Sequence, residues 1–291
     1  MIRDLARSLI PMGQRNRIAR ARVWLRRPTG ALRRLPDFLV LGAMRAGTSS
    51  LYRYLGAHPS VSPSLRKEVE YFTRWHHRGE GWYRAHFPLD PFGGGRRRGF
   101  EATPYYLCHP HAPRRARALL PEARFLVILR DPVARALSHH RHLRRLGIET
   151  LSFEDAIARE PERLAGEWER MLADPRYESR SHHLFSYLER GRYARQLERW
   201  FEEFPRERFL VLEHDELFRD PDSGFREVLS FLDLAPWSPP EYRNFSRTGG
   251  AGGSAHEPAV PDALRERLVR HFEPHNRELE ALLGRGFAWS R

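Results

Sequence analysis

The sequence is poor in three features: it has one cysteine, one lysine and no long apolar run. Cys108 alone has no partner for an internal disulfide and provides no thiolate set for a zinc site, and it is typical of a reducing compartment. No window approaches eighteen uninterrupted apolar residues, and the N-terminus lacks the apolar stretch and cleavage site of a secretory signal. We therefore expect a cytoplasmic protein without a transmembrane segment.

Basic side chains are abundant, and almost all of them are arginine. Lys67 is the only lysine among 50 basic residues, which draws attention to its position. The formal charge of +13 and the pI near 10.6 suit a nucleic acid, an anionic membrane surface, or polyanionic or phosphorylated small molecules. The charge alone does not choose among these partners.

Arginine is concentrated in a basic N-terminal arm, residues 1–35, where the only acid is Asp4. This pattern is typical either of a solvated extension or of peripheral contact with a membrane surface or a partner. Residues 36–291 are then expected to form one domain, with a polar insertion at 148–190. A glycine- and serine-rich stretch at 244–258 predicts a mobile loop before a closing helix, Asp262 to Leu283.

The alternation of short apolar runs with helical patterns indicates the fold class. A run at 37–41 is followed by a glycine loop and by a helical pattern at 48–55, which together open a βαβ unit. Helical patterns such as the one at 193–204 separate further β-prone runs at 69–72, 100–103, 125–129 and 209–213. The run at 125–129 is apolar on both faces, as in an interior parallel strand. The sequence therefore predicts an α/β domain with a parallel sheet covered by helices.

The glycine loop, residues 42–49, is placed to bind an anion. Such a turn between a strand and a helix directs backbone N–H groups and the positive end of the helix dipole at one point. In the nucleotide-binding pattern G-x-x-x-x-G-K-[ST], a lysine follows the second glycine, but here Thr48 follows Gly47. That lysine would reach the β- and γ-phosphates, so its absence argues against an ATP or GTP user. Arg45 supplies a cation from inside the loop instead.

A second anion site is predicted after the run at 125–129. Arg130 follows this run directly and so lies at the carboxyl end of a strand, where open α/β sheets bind ligands. Ser138 lies eight residues further on, in the helix that Pro132 begins. A guanidinium and a hydroxyl in this placement can hold a second phosphate of the same ligand. The alternative is that Arg130 only satisfies its own helix turn.

Four segments, in this order and spacing, resemble the sulfotransferase family, especially its heparan sulfate sulfotransferase-like branch and soluble members of bacterial type. They are LGAMRAGTSSL at 41–51, RKEVEYF at 66–72, EATPYY at 101–106 and ILRDPVARALS at 128–138. The likeness continues through 191–200, 271–276 and 282–289, and covers most of 37–290 apart from the insertion.

This resemblance implies a three-layer P-loop-like fold with a central parallel sheet of about five strands. It implies a 3′-phosphoadenosine 5′-phosphosulfate donor that is bound without a metal. The sulfuryl group would pass in line to a hydroxyl or amine of an acceptor, leaving 3′,5′-adenosine bisphosphate. The family's acceptors make a carbohydrate or glycan the expected partner, with the insertion over the acceptor side.

The resemblance assigns the glycine loop to the donor's 5′ end. Arg45 stands where the family usually has the lysine that stabilises the leaving phosphate. Arginine keeps the charge but not the compact geometry or the readiness to give up a proton. Thr48 and Ser49, with the N–H groups of Ala46 and Gly47, would hold the 5′-phosphate.

Two further segments match donor-binding positions of the family. Arg130 and Ser138 match the pair that holds the 3′-phosphate, a group that ATP lacks. Near the C-terminus, Gly253 and Ser254 align with a donor-binding loop that is more basic in the family.

Glu68 matches the carboxylate that acts as general base in the heparan branch. An acceptor hydroxyl is a poor nucleophile until its proton is drawn off during the attack, so the reaction needs such a group. The alternative is an exposed glutamate on a strand edge. Lys67 matches a lysine common beside this base, which would position an acidic acceptor or the sulfuryl oxygens, unless it is a solvated side chain next to Glu68.

Three departures from the family bear on the acceptor. Glu70 and Thr73 occupy positions where heparan 3-O enzymes have histidine and aspartate, and Ala102 stands where they have lysine. We therefore expect an acceptor other than heparan itself, contacted by Lys67 and Glu70.

The histidine clusters predict no metal site, since they lack the acidic partners and spacings that such sites use. His182 and His183, in the insertion, are instead candidates to hold an acceptor. The aromatic and basic segment 75–84 suits single-stranded nucleic acid or sugar rings, and we expect no nucleic-acid partner. Two other functions stay open: a nucleotide-dependent kinase with a degenerate loop, and a polyanion-binding protein that has lost catalysis.

Overall fold

The computed structural model describes residues 21–90, 97–242 and 261–290. Its centre is one sheet in which all strands run parallel. The strands are β1 (Phe38–Gly42), β2 (Val61–Pro63), β3 (Arg98–Ala102), β4 (Arg124–Leu129) and β5 (Phe209–Glu213). Their order is β2-β3-β1-β4-β5. The P-loop-like α/β fold with five parallel strands is therefore confirmed.

Helices flank this sheet. They are α1 (Thr48–Ala57), α2 (Glu80–Arg84), α3 (Ala112–Leu119), α4 (Pro132–Arg145), α5 (Phe153–Ala158), α6 (Glu160–Leu164), α7 (Glu167–Ala173), α8 (Arg180–Leu184), α9 (Tyr193–Phe201), α10 (His214–Arg219), α11 (Pro221–Phe231) and α12 (Asp262–Leu283). In the part of the chain that the structure describes, no helix is long and apolar enough to cross a bilayer.

The core forms because β1 and β4 are covered on both faces. Leu39 in β1 lies beside Phe125 in β4, and both are fully buried. The Phe125 ring packs 4.6 Å from Phe204 and 4.8 Å from Phe209 between ring centroids. An apolar run with no polar face needs such two-sided cover, which is why the run at 125–129 became an interior strand.

The strand order creates a crevice. From β1 the chain continues through α1 to β2 at one edge, whereas from β4 it continues to β5 at the other edge. Connections that diverge from two neighbouring parallel strands leave an open crevice beyond their carboxyl ends, the usual ligand site of such sheets. Here that crevice lies beyond Gly42 and Leu129.

One predicted strand is wrong. Residues 69–72 are not a strand, and the strand between α1 and β3 along the chain is β2, at one edge of the sheet. Val69 and Phe72 are buried in the core, which accounts for the apolar pattern. The backbone N–H groups of Tyr71 and Phe72 donate to the Tyr106 hydroxyl rather than to a neighbouring strand. Burial without sheet pairing gives the same apolar pattern as a strand.

The insertion consists of short helices, α5 to α8. Ser152 caps α5 by accepting a hydrogen bond from the Asp155 N–H at 3.1 Å, as the capping-box pattern predicts. Glu149 anchors the start of the insertion, because its carboxylate accepts bonds from Arg163 (2.5 Å) and from the Tyr187 hydroxyl (2.9 Å).

The described part of the basic arm packs against the domain. Val23 and Arg33 are buried, and the Arg33 guanidinium donates to the Phe87 carbonyl at 2.8 Å. Arg84 in turn donates to the Arg33 carbonyl at 2.6 Å. Residues 1–20 and the predicted loop at 244–258 lie outside the described residues, whereas the predicted closing helix matches α12.

Candidate active site

The glycine loop lies at the carboxyl end of β1, in the crevice. The Ala43 N–H donates to the Ile128 carbonyl at 2.7 Å, which ties the loop to β4. The chain turns sharply with positive φ at Arg45 (70°) and Gly47 (96°). A Cβ atom at Gly47 would lie 2.3 Å from the Phe218 ring, so only glycine fits there. This close approach sets where α1 begins.

The first N–H groups of α1 are open to a ligand. Within the described ranges, the N–H groups of Gly47, Thr48 and Ser49 have no acceptor in the protein. Such orphan donors at a helix N-terminus attract anions. The Ala46 N–H is different, because it donates to the Ala43 carbonyl at 3.1 Å. The Ala46 N–H, which was predicted to bind the 5′-phosphate, is therefore used in a turn of the loop in this structure.

The predicted donor-binding side chains meet in the crevice. Arg45 donates from Nε to Ser138 Oγ at 3.1 Å, although the two residues are far apart in sequence. Arg130 donates to the Arg45 carbonyl at 3.1 Å, and the Arg130 carbonyl accepts from the Tyr193 hydroxyl at 2.8 Å. Ser138 thus contacts Arg45 rather than Arg130, its predicted partner for a phosphate.

The crevice carries uncompensated positive charge. Burial lowers the pKa of Arg45, as do the neighbouring charges of Arg145 and Arg130, while Glu68 opposes the shift. An arginine remains a cation near neutral pH in spite of this. Across the described residues, none of these three arginines forms an ion pair with a carboxylate. A cluster of this kind is stabilised by binding an anion.

Glu68 faces the same crevice from the segment after β2. Its N–H donates to the Ala102 carbonyl of β3 at 2.9 Å, and Arg66 holds its carbonyl at 2.7 Å. The backbone adopts φ 62°, so the residue is not on a strand edge. Burial raises the pKa of the Glu68 carboxyl. Lys67, whose Nζ lies 2.7 Å from Oε1, lowers this pKa, as do the charges of His183 and Arg66, and together they outweigh burial. The net shift is downward, so Glu68 is ionised at neutral pH.

Glu70, two residues further on, has the opposite character. Burial raises the pKa of its carboxyl to about 7, and the charge of Glu68 adds to the effect. Two nearby carboxyls whose environments drive their pKa values apart are a common arrangement for acid and base roles. Near neutral pH, Glu68 is a carboxylate while Glu70 is partly protonated.

A cavity of about 260 Å³ lies beside this segment, between residues 73–77 and the insertion residues 175–183. Arg74 Nε and Glu178 Oε2 are 2.7 Å apart and join the two sides. His183 lines the cavity and stacks on Tyr105, with ring centroids 4.3 Å apart. Burial, Arg190 and Arg74 lower the pKa of His183 to about 4, while Glu68 opposes this shift. Glu68 does not line the cavity, but its charge acts on His183, which does.

Two positions that depart from the heparan 3-O enzymes, Thr73 and Ala102, and the remaining acceptor candidate, His182, are placed unequally. Thr73 lines the cavity, but Ala102 is fully buried in β3 and reaches no cleft. His182 is also buried, and its Nδ1 lies 2.9 Å from the Tyr105 hydroxyl, so it supports Tyr105 rather than facing the cavity. Gly253 and Ser254 lie outside the described residues.

Residues that sequence reasoning missed support the loop from β5. His214 Nδ1 lies 3.0 Å from the Ala46 carbonyl, and Phe218 packs on Gly47. Both follow the carboxyl end of β5, at the same sheet edge as Gly42 and Arg130. That position was a signal available in the sequence. Among the described residues, no group of three or more His, Cys, Asp or Glu side chains is arranged to hold a metal.

Comparison with known proteins finds sulfotransferases by family model and by sequence. The model of the sulfotransferase domain matches residues 35–242. Human heparan sulfate glucosamine 3-O-sulfotransferase 6 is 30% identical over 274 residues, covering 88% of this chain and 74% of that protein. Human bifunctional heparan sulfate N-deacetylase/N-sulfotransferase 3 is 32% identical, covering 86% of this chain but only 30% of that protein.

A solved structure extends the likeness to three dimensions. The sulfotransferase from Alicyclobacillus acidocaldarius superposes with a TM-score of 0.71 at 32% identity, covering 89% of this chain and all of that one. The match of the domain model over all five described strands, together with this superposition, establishes the relationship. The chain belongs to the sulfotransferase family of transferase enzymes.

Proposed function

We propose that this protein transfers the sulfuryl group of 3′-phosphoadenosine 5′-phosphosulfate to a hydroxyl or amine of a glycan. The observation that carries the proposal is the crevice cluster of Arg45, Arg130 and Ser138. It joins the glycine loop to the end of β4 and, among the described residues, has no carboxylate partner. A ligand with separate anionic groups at its 3′ and 5′ ends suits such a cluster better than a nucleoside triphosphate, since Thr48 replaces the lysine that a triphosphate needs.

The roles follow from position and charge. The N–H groups of Gly47, Thr48 and Ser49 hold the 5′-phosphate at the start of α1. Arg45 stabilises the negative charge that grows on the bridging oxygen as its bond to sulfur breaks. Such a preorganised donor contributes about 3 kcal/mol to the transition state in comparable sites.

Glu68 is the general base in this proposal. It takes the proton of the acceptor as the acceptor oxygen or nitrogen bonds to sulfur. Its lowered pKa keeps it ionised and able to accept that proton. Lys67, through its ion pair, orients this carboxylate.

The acceptor would occupy this cavity, where the charge of Glu68 acts on the lining residue His183. Its aromatic, histidine and arginine lining suits a sugar ring with polar substituents. The names of the heparan sulfate relatives support a glycan acceptor. Glu70 and Thr73 stand where the 3-O enzymes have other residues, and this difference favours a glycan other than heparan. Glu70 and Lys67 would contact that glycan.

The donor assignment is tested by thermal shift in EDTA with 3′,5′-adenosine bisphosphate or ATP. Bisphosphate at about 100 times its Kd should stabilise the protein by about 2.7 kcal/mol, or roughly 5–10 °C, and ATP by much less. Arg130→Gln and Ser138→Ala should remove this preference. Arg144→Ala, an exposed arginine on the same helix, should keep it. An equal shift with ATP, or one that requires magnesium, would contradict the proposal.

A further inference from the structure

Apolar side chains are exposed on the described part of the basic arm. On one side of this helical segment, Val23 and Gly30 are buried against the domain. Leu25 and Leu32 have the same seven-residue spacing but are exposed, and Trp24 is exposed next to Leu25. Trp24 is 73% exposed and Leu25 is 68% exposed, the highest values among the large apolar side chains that the structure describes. Neighbouring apolar side chains left in water indicate an interaction surface.

This surface extends to the segment that follows α2. The Asp90 N–H donates to the Leu32 carbonyl at 2.8 Å, and Arg33 pairs with Leu89 in an antiparallel bridge. Leu89 is 54% exposed. The Arg33 guanidinium donates to the Phe87 carbonyl at 2.8 Å, which fixes the arm to the domain at this point. The apolar patch of the arm thus consists of Trp24, Leu25, Leu32 and Leu89.

Arginines accompany the patch without an acid to offset them. Residues 21–35 contain five arginines and no aspartate or glutamate, and Arg22 and Arg27 are exposed. Over the whole arm, residues 1–35, ten arginines and one aspartate give a net charge of +9, out of +13 for the chain. The positive charge is therefore concentrated in the segment that also carries the apolar patch.

The combination of apolar and cationic groups selects among anionic partners. A nucleic acid would bind the arginines, but its phosphates offer nothing to two exposed leucines. An anionic bilayer offers both partners at one depth, because lipid phosphates bind guanidinium groups while the acyl boundary takes up leucine. Tryptophan is also favoured at the level of the headgroups.

We propose that the arm docks this protein on an anionic lipid surface. The apolar patch enters the interface, about 5–10 Å deep, and the arginines around it bind the lipid headgroups. Both contributions are needed for stable attachment, since one short apolar patch or a few charges alone bind weakly.

The docking surface is separate from the donor crevice. The arm enters β1 at its amino end, where the Asp37 N–H donates to the Gly99 carbonyl at 2.8 Å. The crevice lies at the opposite end of the sheet, beyond Gly42 and Leu129. A docked protein therefore keeps its crevice open to the solution, and this inference does not depend on the proposed sulfuryl transfer.

The test is co-sedimentation of the full chain with phosphatidylcholine vesicles that contain about 30 mol% phosphatidylserine or none. We expect binding to the anionic vesicles that weakens with salt. Combining Trp24→Ser with Leu25→Ser should lower the partition coefficient about 10-fold or more, because both side chains lose their burial in lipid. Combining Arg22→Glu with Arg27→Glu should have a similar effect on the anionic vesicles.

Two matched controls and one folding check accompany these variants. Leu172→Ser and Arg195→Glu change exposed residues on α7 and α9, and each should alter the partition coefficient less than about twofold. The melting temperature in the absence of lipid shows that each variant is folded. The thermal shift by 3′,5′-adenosine bisphosphate should be the same in all of them, since none lies in the crevice.

Quenching by bromine-labelled lipid locates the contact. Trp24→Phe should keep most of the vesicle binding but lose much of the lipid-dependent quenching of tryptophan fluorescence. Trp237→Phe, whose ring packs on His58, is the control and should keep the quenching. Quenching that is unchanged in Trp24→Phe would show that another face of the protein meets the lipid.

Four other results would overturn the proposal. The unmodified chain could fail to bind anionic vesicles, or bind DNA or heparin at a salt concentration where it ignores vesicles. Equal vesicle binding by the Trp24→Ser, Leu25→Ser variant would reduce the contact to charge alone. A dimer of the unmodified chain that this variant converts to monomers would assign the patch to a second copy. Shielding of Trp24 from acrylamide in the lipid-free protein would assign the patch to residues 1–20 of the same chain.

Discussion

Glu68 and Glu70 show how two identical side chains acquire different chemistry within one short segment. Lys67 and the nearby cations outweigh burial at Glu68, whereas at Glu70 burial and the charge of Glu68 act in the same direction. Both residues have left-handed backbone, with φ 62° and 59°. The segment is therefore shaped to place carboxyls rather than to extend a strand.

Replacing Glu68 by glutamine should lower kcat strongly, ~100-fold or more, because the acceptor proton then has no carboxylate to receive it. Affinity for 3′,5′-adenosine bisphosphate should stay nearly unchanged, since Glu68 does not contact the loop N–H groups. The measurement is steady-state sulfuryl transfer to a glycan that the unmodified protein sulfates, together with a thermal shift by the bisphosphate.

The pH profile separates the two carboxyls. With Glu68 as base, kcat should stay level as the pH falls from 8 to about 5.5, because its pKa lies below the ordinary value of 4.5. If kcat instead fell around pH 7, and that limb vanished in Glu70→Gln, the base would be Glu70. Near-normal kcat in Glu68→Gln would also contradict the assignment.

For individual residues, the sequence predicted which side chains meet in the crevice, but it did not predict every contact between them. Arg45, Arg130 and Ser138 were predicted from their places after strands, and they do meet. The sequence did not reveal that Ser138 contacts Arg45, because the distance between their side chains depends on the orientation of α4 relative to the loop.

Among the elements, the glycine loop depends on α10, which follows β5. The Phe218 ring occupies the space where a side chain at Gly47 would project, and His214 holds the Ala46 carbonyl. The turn into α1 is thus shaped by the central strand β1, which leads into it, and by α10, which follows the edge strand β5. Its geometry is a property of two elements rather than of the glycine motif alone.

Gly47→Ala should therefore lower both stability and donor affinity. The new methyl group meets the Phe218 ring and strains a backbone at φ 96°, which costs more than about 1 kcal/mol. Gly56→Ala in the same helix is the matched control, because its Cβ would meet Pro63 at 3.6 Å, an ordinary contact. Thermal unfolding with and without 3′,5′-adenosine bisphosphate measures both effects.

Adding Phe218→Ala to Gly47→Ala should recover part of the lost affinity if the clash is the cause. No recovery in the double variant would assign the loss to backbone strain alone.

Most elements were predictable from apolar periodicity, and the failures have physical causes. β2 is only three residues long and ends in Pro63, so it has no apolar run to detect. Residues 69–72 carried such a run because they are buried under Tyr106, whose hydroxyl takes the place of a neighbouring strand. The insertion helices are short, and their packing depends on contacts that span the domain.

On the scale of the whole molecule, Glu149 is a buried carboxylate that ties the start of the insertion to two later parts of it, through Arg163 and Tyr187. Burial would raise the pKa of this carboxyl, but the Arg163 guanidinium, the Leu151 N–H and the Tyr187 hydroxyl lower it to about 2. The ordinary value is 4.5. A carboxyl whose pKa is lower in the folded state stabilises the fold above the unfolded value and loses that effect as the pH falls toward the folded value.

Glu149→Gln should accordingly lower the melting temperature at pH 6 to 7. The difference from the unmodified protein should shrink as the pH falls from about 4.5 toward 2, since both then lack the charge. Glu169→Gln, an exposed residue on α7, should show little difference at any pH. Melting curves between pH 3 and 7 test this, and a gap that widens on acidification would refute it.

The order of the strands also governs when the active site can exist. β1 is made first but lies in the middle of the sheet, and Leu39 pairs with Glu101 on one side and Phe125 on the other. Long-range pairing of this kind slows folding, since the intervening chain must be closed into loops before the contacts form. The support for the loop from His214 and Phe218 comes later still in synthesis. A nascent chain thus carries the glycine motif long before it has a binding site, and the crevice matures only once β5 and α10 have left the ribosome.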